Sequence, residues 1–328
     1  MISLNEVADQ LAAADDILVL SHQFPDGDTL GSNAALCRAL RKLGKRTRFA
    51  CTNVVSKKYE YLFSGMEIQE FEPKFIVTVD IADVQLFGSE LVSYADKVDL
   101  CIDHHKSNVH FAKASYVDST AAATCEIIYD LTALLGVKPD NIMADCIYTG
   151  IVTDTGCFKY TNVTPRTFRI AAELMEIGIH AADINRVMFD TKSMARLDLE
   201  QLVIESLSFY FDGRCAVGQI TQEMIQETGA TDDDVDGISG LPRQIEGVQI
   251  GISIREKQDG AYKISVRTHS SIDASAICAK FGGGGHRSAA GCTIQEPLDD
   301  VKAKIVQAAG EVFSKAPKKL KKGSSKSL

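Results

Sequence analysis

Short apolar runs that end in acidic or histidine side chains constrain the fold of this chain more than any other feature. One such run, Leu100–Ile102, is followed directly by Asp103, His104 and His105. A short apolar run is typical of a buried strand, and open α/β sheets carry their functional groups at the carboxyl ends of parallel strands. Neighbouring strand side chains point to opposite faces, so the triplet alone is equally compatible with one core and one surface histidine. Three further acid-ended segments favour a functional site.

The loop after the first predicted strand, Ile17–Leu20, contains three candidate metal ligands. His22, Asp26 and Asp28 lie close together in this loop, before a helix predicted over residues 33–43. A proline and a glycine in the loop supply a sharp turn, and acid–Gly–acid spacing is common in divalent-metal loops. The alternative is that Asp28 caps the helix and Asp26 forms the turn, which leaves His22 unexplained.

Two more acids follow predicted elements. The strand predicted at Phe75–Val79 leads directly into Asp80, so we expect the Asp80 carboxylate at the carboxyl edge of the sheet. Asp154 follows a predicted helix, residues 140–152, and stands beside a glycine turn; we group it with the strand ends. Because the carboxyl ends of parallel strands face the same crevice, all four segments are expected to converge.

The converging side chains have the composition of a divalent-metal site. Mixed carboxylate and imidazole ligands suit Mn²⁺, Mg²⁺, Fe²⁺ or Co²⁺ better than the metals that prefer thiolates. The ligands outnumber the needs of one ion, and a bridging carboxylate holds two ions about 3.5–4 Å apart. Such a pair serves phosphoester or phosphoanhydride hydrolysis. The sequence also contains no Rossmann fingerprint, so the pattern predicts a hydrolase rather than a redox enzyme.

Composition narrows the classes of partner. The chain has a net charge of −9 and no overall basic character, so we expect no long duplex nucleic acid as a partner. A small anionic substrate fits, because bound cations reverse the field locally. No apolar run approaches the roughly 20 residues of a membrane span, so we expect no membrane partner. The nine scattered cysteines and the lack of a signal-type N-terminal block lead us to expect reduced thiols in a cytoplasmic protein.

The order of predicted elements indicates two domains. Alternating strands and helices up to about residue 190 predict a doubly wound parallel sheet, and strand-like runs beyond residue 213 predict a smaller second α/β domain. The expected organisation is a catalytic domain over 1–190, a helical linker over 191–212, a substrate-binding domain over 213–315 and a disordered Lys- and Ser-rich tail over 316–328.

A run of four glycines near the C-terminus is the second chemical feature. Gly282–Gly285 are followed by His286 and Arg287. We expect the run to form no regular element and to expose backbone N–H groups beside these two cationic side chains. It is not a Walker loop, since no Gly-Lys-Ser/Thr follows. The alternative is a flexible hairpin without a ligand.

These motifs together resemble the DHH–DHHA1 phosphoesterases. The resemblance rests on His-x-x-x-Asp-Gly-Asp-x-x-Gly-Ser from His22, the lone Asp80, the Asp103–His105 triplet, Asp154 and the Gly-Gly-Gly-Gly-His run. It extends from Val19 to about Phe313 and is closest to the short two-domain nano-RNase/pAp-phosphatases. The resemblance implies a parallel-sheet DHH domain and a smaller α/β DHHA1 domain.

The resemblance also implies roles for individual residues. Two divalent cations, Mn²⁺ with Mg²⁺ or Co²⁺ as alternatives, would be held by two ligand sets that share Asp80: His22, Asp26 and Asp80, and Asp28, Asp80, His104 and Asp154. His105 would touch the substrate phosphate or act as acid to the leaving oxygen, and Asp103 would orient the histidines. The implied substrate-binding residues are Arg267, Gly282, Gly283, Gly284, Gly285, His286 and Arg287.

By the same resemblance, the expected activity is removal of nucleotides from the 3′ end of short oligoribonucleotides and dephosphorylation of 3′-phosphoadenosine 5′-phosphate (pAp). Hydrolysis of linear cyclic-dinucleotide products (pApA) or of inorganic pyrophosphate is the alternative within the hydrolases. A nucleotide-binding regulator without turnover is the alternative from another class. The sequence leaves the oligomeric state open, a homodimer included.

Overall fold

The computed structural model describes residues 1–52, 55–235, 237–269 and 272–315. The chain divides into two compact units, one spanning Met1–Thr191 and the other beginning at Lys192. The tail predicted over 316–328 lies outside the described residues. Among the described residues, none of the helices combines the length and the apolar character that crossing a bilayer requires.

The first unit is built on a five-stranded sheet in which all described neighbours pair in parallel. The strands are β1 (Ile17–Leu20), β2 (Thr47–Ala50), β3 (Phe75–Val79), β4 (Leu100–Asp103) and β5 (Ala114–Val117). Their order is β2-β1-β3-β4-β5, so the chain reverses direction across the sheet between β1 and β3. This is a doubly wound arrangement, and the predicted parallel sheet is confirmed.

Helices and short turns cover both faces of this sheet. The helices are α1 (Leu4–Ala13), α2 (Gly27–Lys42), α3 (Gly88–Leu91), α4 (Thr124–Leu134), α5 (Asn141–Asp154), α6 (Pro165–Ile177) and α7 (Ala181–Asn185). Alternate residues of β1 enter different cores: Ile17 and Val19 join the large cluster with α2, α4 and α5, while Leu18 and Leu20 join a smaller cluster around Phe87. Burial on both faces explains why β1 reads as a continuous apolar run.

Helix α2 begins six residues earlier than the predicted start at Asn33, and this prediction was wrong. Asp26 is its N-cap, accepting hydrogen bonds from the backbone N–H groups of Asp28 and Thr29 at 3.0 Å each. Glycine is a poor helix former, which concealed this first turn in the sequence. Gly31 is nevertheless required, because a Cβ there would lie 2.4 Å from the Cys146 carbonyl oxygen of α5.

The second unit contains a six-stranded mixed sheet of order β10-β11-β9-β8-β7-β6, and β7 and β8 pair in parallel. Its strands are β6 (Ser208–Tyr210), β7 (Cys215–Ile220), β8 (Ile250–Glu256), β9 (Tyr262–Thr268), β10 (Gly284–His286) and β11 (Ala289–Ile294). Its helices are α8 (Met194–Glu205), α9 (Gln222–Thr228), α10 (Asp232–Val235), α11 (Ala274–Cys278) and α12 (Leu298–Lys315). The predicted smaller α/β domain is confirmed. Helix α8 lies in the segment predicted as a linker, and its Leu199 and Val203 pack against Ile220 within this unit.

The glycine run does form regular structure in part, which corrects the prediction. Gly284 and Gly285 belong to β10, which pairs antiparallel with β11. Gly285 has φ 140°, and a Cβ there would lie 2.6 Å from the Ala289 carbonyl oxygen. The run is therefore a close-packed edge hairpin, in which glycine is needed so that the two backbones can approach.

Candidate metal centre and active site

The candidate ligands lie at the carboxyl edge of the parallel sheet, at the point where the strand order reverses. His22 follows β1, Asp80 follows β3, and the Asp103–His105 triplet ends β4. In open α/β sheets this switch point, between β1 and β3 here, is where a crevice forms for a ligand. The convergence expected from the four acid-ended segments is observed.

Asp154 reaches the same place by a different route from the one predicted. It is the last residue of helix α5, so grouping it with the strand ends was wrong. Helix α5 packs closely along α2, and its C-terminus is thereby brought to the sheet edge, where Asp154 Oδ2 lies 3.5 Å from His104 Nε2. A carboxylate is electrostatically unfavourable at a helix C-terminus. A functional reason for an acid at this position is therefore expected.

The side chains form overlapping clusters of the kind that hold metal ions. The potential ligand atoms lie within 4.8 Å of one another in three groups: His22, Asp26 and Asp80; Asp28, His104 and Asp154; and Asp80, His104 and His105. Asp80 is shared, and its Oδ1 lies 3.6 Å from His104 Nε2. Asp80 is therefore common to two of the three groups of potential ligands.

Hydrogen bonds from outside the clusters fix the two histidines of the triplet. His104 Nδ1 donates to the Ala121 carbonyl oxygen at 3.2 Å, so Nε2 is the ring atom that faces the carboxylates of Asp80 and Asp154. His105 Nδ1 donates to Asp103 Oδ1 at 2.7 Å, and Asn108 Nδ2 donates to Asp103 Oδ2 at 2.6 Å. Asp103 therefore holds the ring of His105 with its Nε2 directed away from this carboxylate.

The buried carboxylates carry more negative charge than their surroundings favour. Burial, followed by the charge of Asp154, raises the pKa of Asp28 to about 7. Burial also raises the pKa of Asp154 to about 7 and, together with the charge of Asp28, raises the pKa of Asp80 well above its ordinary value. A divalent cation would compensate these charges, and the carboxylate and imidazole donors suit a hard or borderline ion. The residues present fit divalent cations.

His105 and Asp103 form a polarised pair beside this cluster. Burial lowers the pKa of His105, but the hydrogen bond with Asp103 and the charge of Asp80 outweigh it and raise the pKa to about 10. Burial raises the pKa of Asp103, but the hydrogen bond and charge of His105 hold it below its ordinary value. In the cation-free centre these contacts favour the protonated form of His105.

Sequence reasoning missed two hydroxyl side chains in the centre. Thr29 Oγ1 and Thr124 Oγ1 both contact the carboxylate of Asp80. Thr29 stands beside Asp28 in the loop that contains three candidate ligands, whereas Thr124 is 44 residues beyond Asp80 in the chain. Neither local pattern marks a threonine as part of a site, since contacts of this kind depend on the tertiary packing.

The predicted substrate-binding positions lie together in the second unit. Arg267 of β9 lies opposite Ala289 of β11, and Ala289 lies opposite His286 of β10. Arg287 is exposed in the turn between β10 and β11, and its carbonyl oxygen accepts hydrogen bonds from Ala274 N at 2.7 Å and Thr268 Oγ1 at 3.1 Å. The backbone that carries these cationic residues is therefore fixed.

The raised carboxyl pKa values predict how pH affects the cation-free protein. A carboxyl whose pKa is higher in the folded state binds more protons there, so its contribution to stability is present at low pH and is lost as pH rises through about 7. We expect the rise in melting temperature caused by about 1 mM Mn²⁺ to be larger near pH 8 than near pH 6. Thermal denaturation with Mn²⁺ or with chelator at the two pH values measures this. Equal rises in melting temperature at the two pH values would contradict the proposed repulsion between the buried carboxylates.

Known proteins resemble this chain along nearly its whole length. Residues 16–151 match the DHH family, N-terminal domain, and residues 212–315 match the DHHA1 domain. A protein of Thermus thermophilus named bifunctional oligoribonuclease and PAP phosphatase NrnA is 32% identical and covers 94% of this chain and 94% of its own length. The protein of the same name from Bacillus subtilis is 25% identical and covers 88% of this chain and 92% of its own length.

A solved structure aligns with this chain over nearly its whole length. The crystal structure of an exopolyphosphatase-related protein from Bacteroides fragilis aligns with a TM-score of 0.85 and 25% sequence identity, over 94% of this chain and 95% of that one. The family predicted from the motifs is therefore confirmed. The chain belongs to the DHH–DHHA1 phosphoesterase family, in the short two-domain group that contains these relatives.

Proposed function

We propose that this protein is a phosphoesterase that uses two Mn²⁺ ions to hydrolyse short oligoribonucleotides from the 3′ end and to dephosphorylate pAp. The observation that carries the proposal is the shared position of Asp80 between two clusters of carboxylate and imidazole groups. In this proposal His22, Asp26 and Asp80 hold one ion, and Asp28, Asp80, His104 and Asp154 hold the other. When bound, such an ion pair activates water and neutralises charge on the phosphoryl group.

The remaining residues of the centre handle the leaving group in this proposal. Asp103 accepts from Nδ1 of His105 and so leaves the Nε2 proton available for donation. His105 gives that proton to the leaving oxygen as the phosphorus–oxygen bond breaks, in the way a general acid does. Asn108 fixes the second oxygen of Asp103, so the Asp103–His105 pair cannot rotate freely. The contact with Asp103 also favours the protonated imidazole, which is the form that can give up this proton.

The names of the relatives support the substrate part of the proposal. The Thermus thermophilus and Bacillus subtilis proteins are both named for oligoribonuclease and PAP phosphatase activity. A short anionic substrate also suits a chain of net charge −9, because it needs no long basic surface. The proposed contacts to its phosphates come from the second unit: Arg267, Gly282, Gly283, Gly284, Gly285, His286 and Arg287.

The same proposal covers location and partners. We place the protein in the cytoplasm, in keeping with nine cysteines that are all free thiols. Formation of a homodimer remains a prediction. The lack of a membrane partner and of a long duplex nucleic-acid partner also remains a prediction.

Arg287→Ala is expected to raise KM for pAp about tenfold or more, because a charge-assisted contact to a phosphate is lost. The Mn²⁺ affinity of the protein should not change, since Arg287 is not among the proposed ligands. Steady-state kinetics and Mn²⁺ titration measure the two quantities. Arg214→Ala is the matched control, because Arg214 lies over the ring of Phe313 in the same unit. Unchanged KM or lost Mn²⁺ would contradict the proposed role.

A substrate panel tests the proposed function. Purified protein with Mn²⁺ is given pAp, a labelled three-nucleotide RNA, pApA and pyrophosphate, and product release is followed for each. The proposal predicts phosphate from pAp and mononucleotides from the RNA. A clear preference for pyrophosphate would contradict it, and tight pAp binding without Mn²⁺-dependent release would indicate a regulator. A preference for pApA over the RNA would indicate instead that the protein hydrolyses linear products of cyclic dinucleotides.

A further inference from the structure

Two buried threonines hold the carboxylate of Asp80, one at each oxygen. Thr29 Oγ1 donates to Asp80 Oδ2 at 2.6 Å, and Thr124 Oγ1 donates to Asp80 Oδ1 at 3.0 Å. Both threonines have 0% exposure, so water does not replace either contact. Thr29 lies in the first turn of α2 and Thr124 is the first residue of α4. Two different helices thus fix a single carboxylate.

The two oxygens of Asp80 face different sets of candidate ligands. On the Oδ2 side, the Thr29 hydroxyl also lies 2.6 Å from His22 Nε2 and 3.2 Å from Asp26 Oδ1. Because the single hydroxyl proton of Thr29 goes to Asp80, His22 Nε2 donates to Thr29 in the cation-free protein. On the other side, Oδ1 lies 3.6 Å from His104 Nε2. The terminal torsion of an aspartate is soft, so nothing intrinsic to Asp80 maintains this orientation. Each oxygen of this carboxylate does accept a hydrogen bond from one of the two threonine hydroxyls.

We propose that Thr29 and Thr124 are positioning residues that hold Asp80 with one oxygen toward each of the two cation positions. The inference rests on the proposed function, since it requires a bridging Asp80. A carboxylate oxygen has lone pairs enough to accept a hydroxyl proton and still face a cation. Asp80 also has φ 61°, a left-handed backbone that persists only where the surroundings determine it. The two hydroxyls are part of those surroundings.

The backbone contacts of the same residues allow the hydroxyl role to be isolated. Thr29 N donates to Asp26 Oδ1 at 3.0 Å, and Thr124 N donates to Asp28 Oδ2 at 2.6 Å. A Thr→Val substitution keeps these N–H groups and the shape of the side chain. It removes the hydroxyl contacts to Asp80 and, at Thr29, also the hydroxyl contacts to His22 and Asp26. Thr→Ser restores a hydroxyl at the same carbon.

The experiment is a Mn²⁺ titration of the whole protein followed by electron paramagnetic resonance. The wild-type protein is expected to bind two ions and to give the spectrum of an exchange-coupled Mn²⁺ pair. Thr29→Val and Thr124→Val are each expected to weaken Mn²⁺ binding about 10–100-fold and to diminish the coupled spectrum, as loss of a partner that orients a ligand does. Thr29→Ser and Thr124→Ser are expected to restore both.

A matched control separates positioning from general destabilisation. Thr132 of α4 is also buried, and its Oγ1 donates to the Tyr129 carbonyl oxygen at 2.7 Å. Thr132→Val should therefore bind Mn²⁺ like the wild type. Thr29→Ala and Thr124→Ala provide a second test if a valine variant does not fold.

The outcomes distinguish this inference from the proposed function. A coupled pair in the wild type that is unchanged in both valine variants overturns the positioning role alone. A wild-type protein that binds no Mn²⁺ pair overturns the proposed function and this inference with it. Weakened binding in the valine variants without rescue by serine also contradicts the positioning role, because the hydroxyl is then not the cause.

Discussion

Asp80→Asn is expected to lower kcat for pAp by at least about 10³-fold while the protein remains folded. Loss of a single hydrogen-bond donor to the charge of a transition state already lowers kcat about 10²–10³-fold. Asp80 is the proposed common ligand of both cations, so its loss should cost at least as much. Asparagine keeps the shape of the side chain and tolerates the left-handed backbone at φ 61°. The neutral amide also removes one of the buried charges that repel each other in the cation-free state. In the presence of chelator, the melting temperature of Asp80→Asn should therefore be no lower than that of the wild type. Addition of Mn²⁺ should raise the melting temperature of the wild type but not that of the variant.

Asp16→Asn is the matched control for this variant. Asp16 is also a buried aspartate with a left-handed backbone, φ 53°, but its carboxylate pairs with Arg46 and Lys74 away from the centre. Asp16→Asn should lower the melting temperature and leave Mn²⁺ binding and kcat per folded molecule unchanged. Near-wild-type turnover in Asp80→Asn would contradict the shared role of Asp80.

His105→Ala is expected to lower kcat about 10²–10⁴-fold, the usual contribution of a general acid, with both Mn²⁺ ions still bound. The structure provides the reason: Asp103 Oδ1 holds His105 Nδ1 at 2.7 Å, and this contact favours the protonated form of the ring. Replacing Asp103 by Asn removes the main group that opposes the effect of burial on the pKa of His105. The alkaline limb of the kcat–pH profile should therefore move to lower pH in Asp103→Asn.

His180→Ala controls for the loss of an Asp–His hydrogen bond as such. His180 Nδ1 pairs with Asp145 Oδ2 at 2.8 Å, but this pair lies outside the candidate centre. Its kinetics should match those of the wild type. If His105→Ala instead loses one of the two Mn²⁺ ions, His105 is a ligand rather than an acid, and the role proposed here is wrong.

The sheet and its ligand-bearing edge were predictable because the strands are buried on both faces. Such strands read as apolar runs, and each run ends where the chain leaves the core, so Asp80 and the triplet after Ile102 were located correctly. Strand β5 was missed, since residues 114–117 form a short strand of which only Ser115 is buried. Pattern reasoning thus works where burial imposes a pattern, and it failed for this half-buried edge strand.

The other errors have tertiary causes. The missed start of α2 contains Gly27 and Gly31, which local propensity disfavours, but the close approach of α2 to α5 requires Gly31. Asp154 reaches the centre because α5 packs along α2, a relationship that no local spacing encodes. The same holds for Thr124, whose hydroxyl meets Asp80 only after α4 docks on the sheet. Ligands beside strand ends were therefore predictable, and the groups that orient them were not.

The most direct test of the central claim is a crystal structure of the Mn²⁺-loaded protein with anomalous diffraction measured at the manganese edge. The account predicts two anomalous peaks about 3.5–4 Å apart, one on either side of the Asp80 carboxylate. The first should lie beside His22 and Asp26, and the second beside His104 and Asp154. A single peak, or a pair of peaks that does not share Asp80, would contradict the claim that this chain has a two-cation centre.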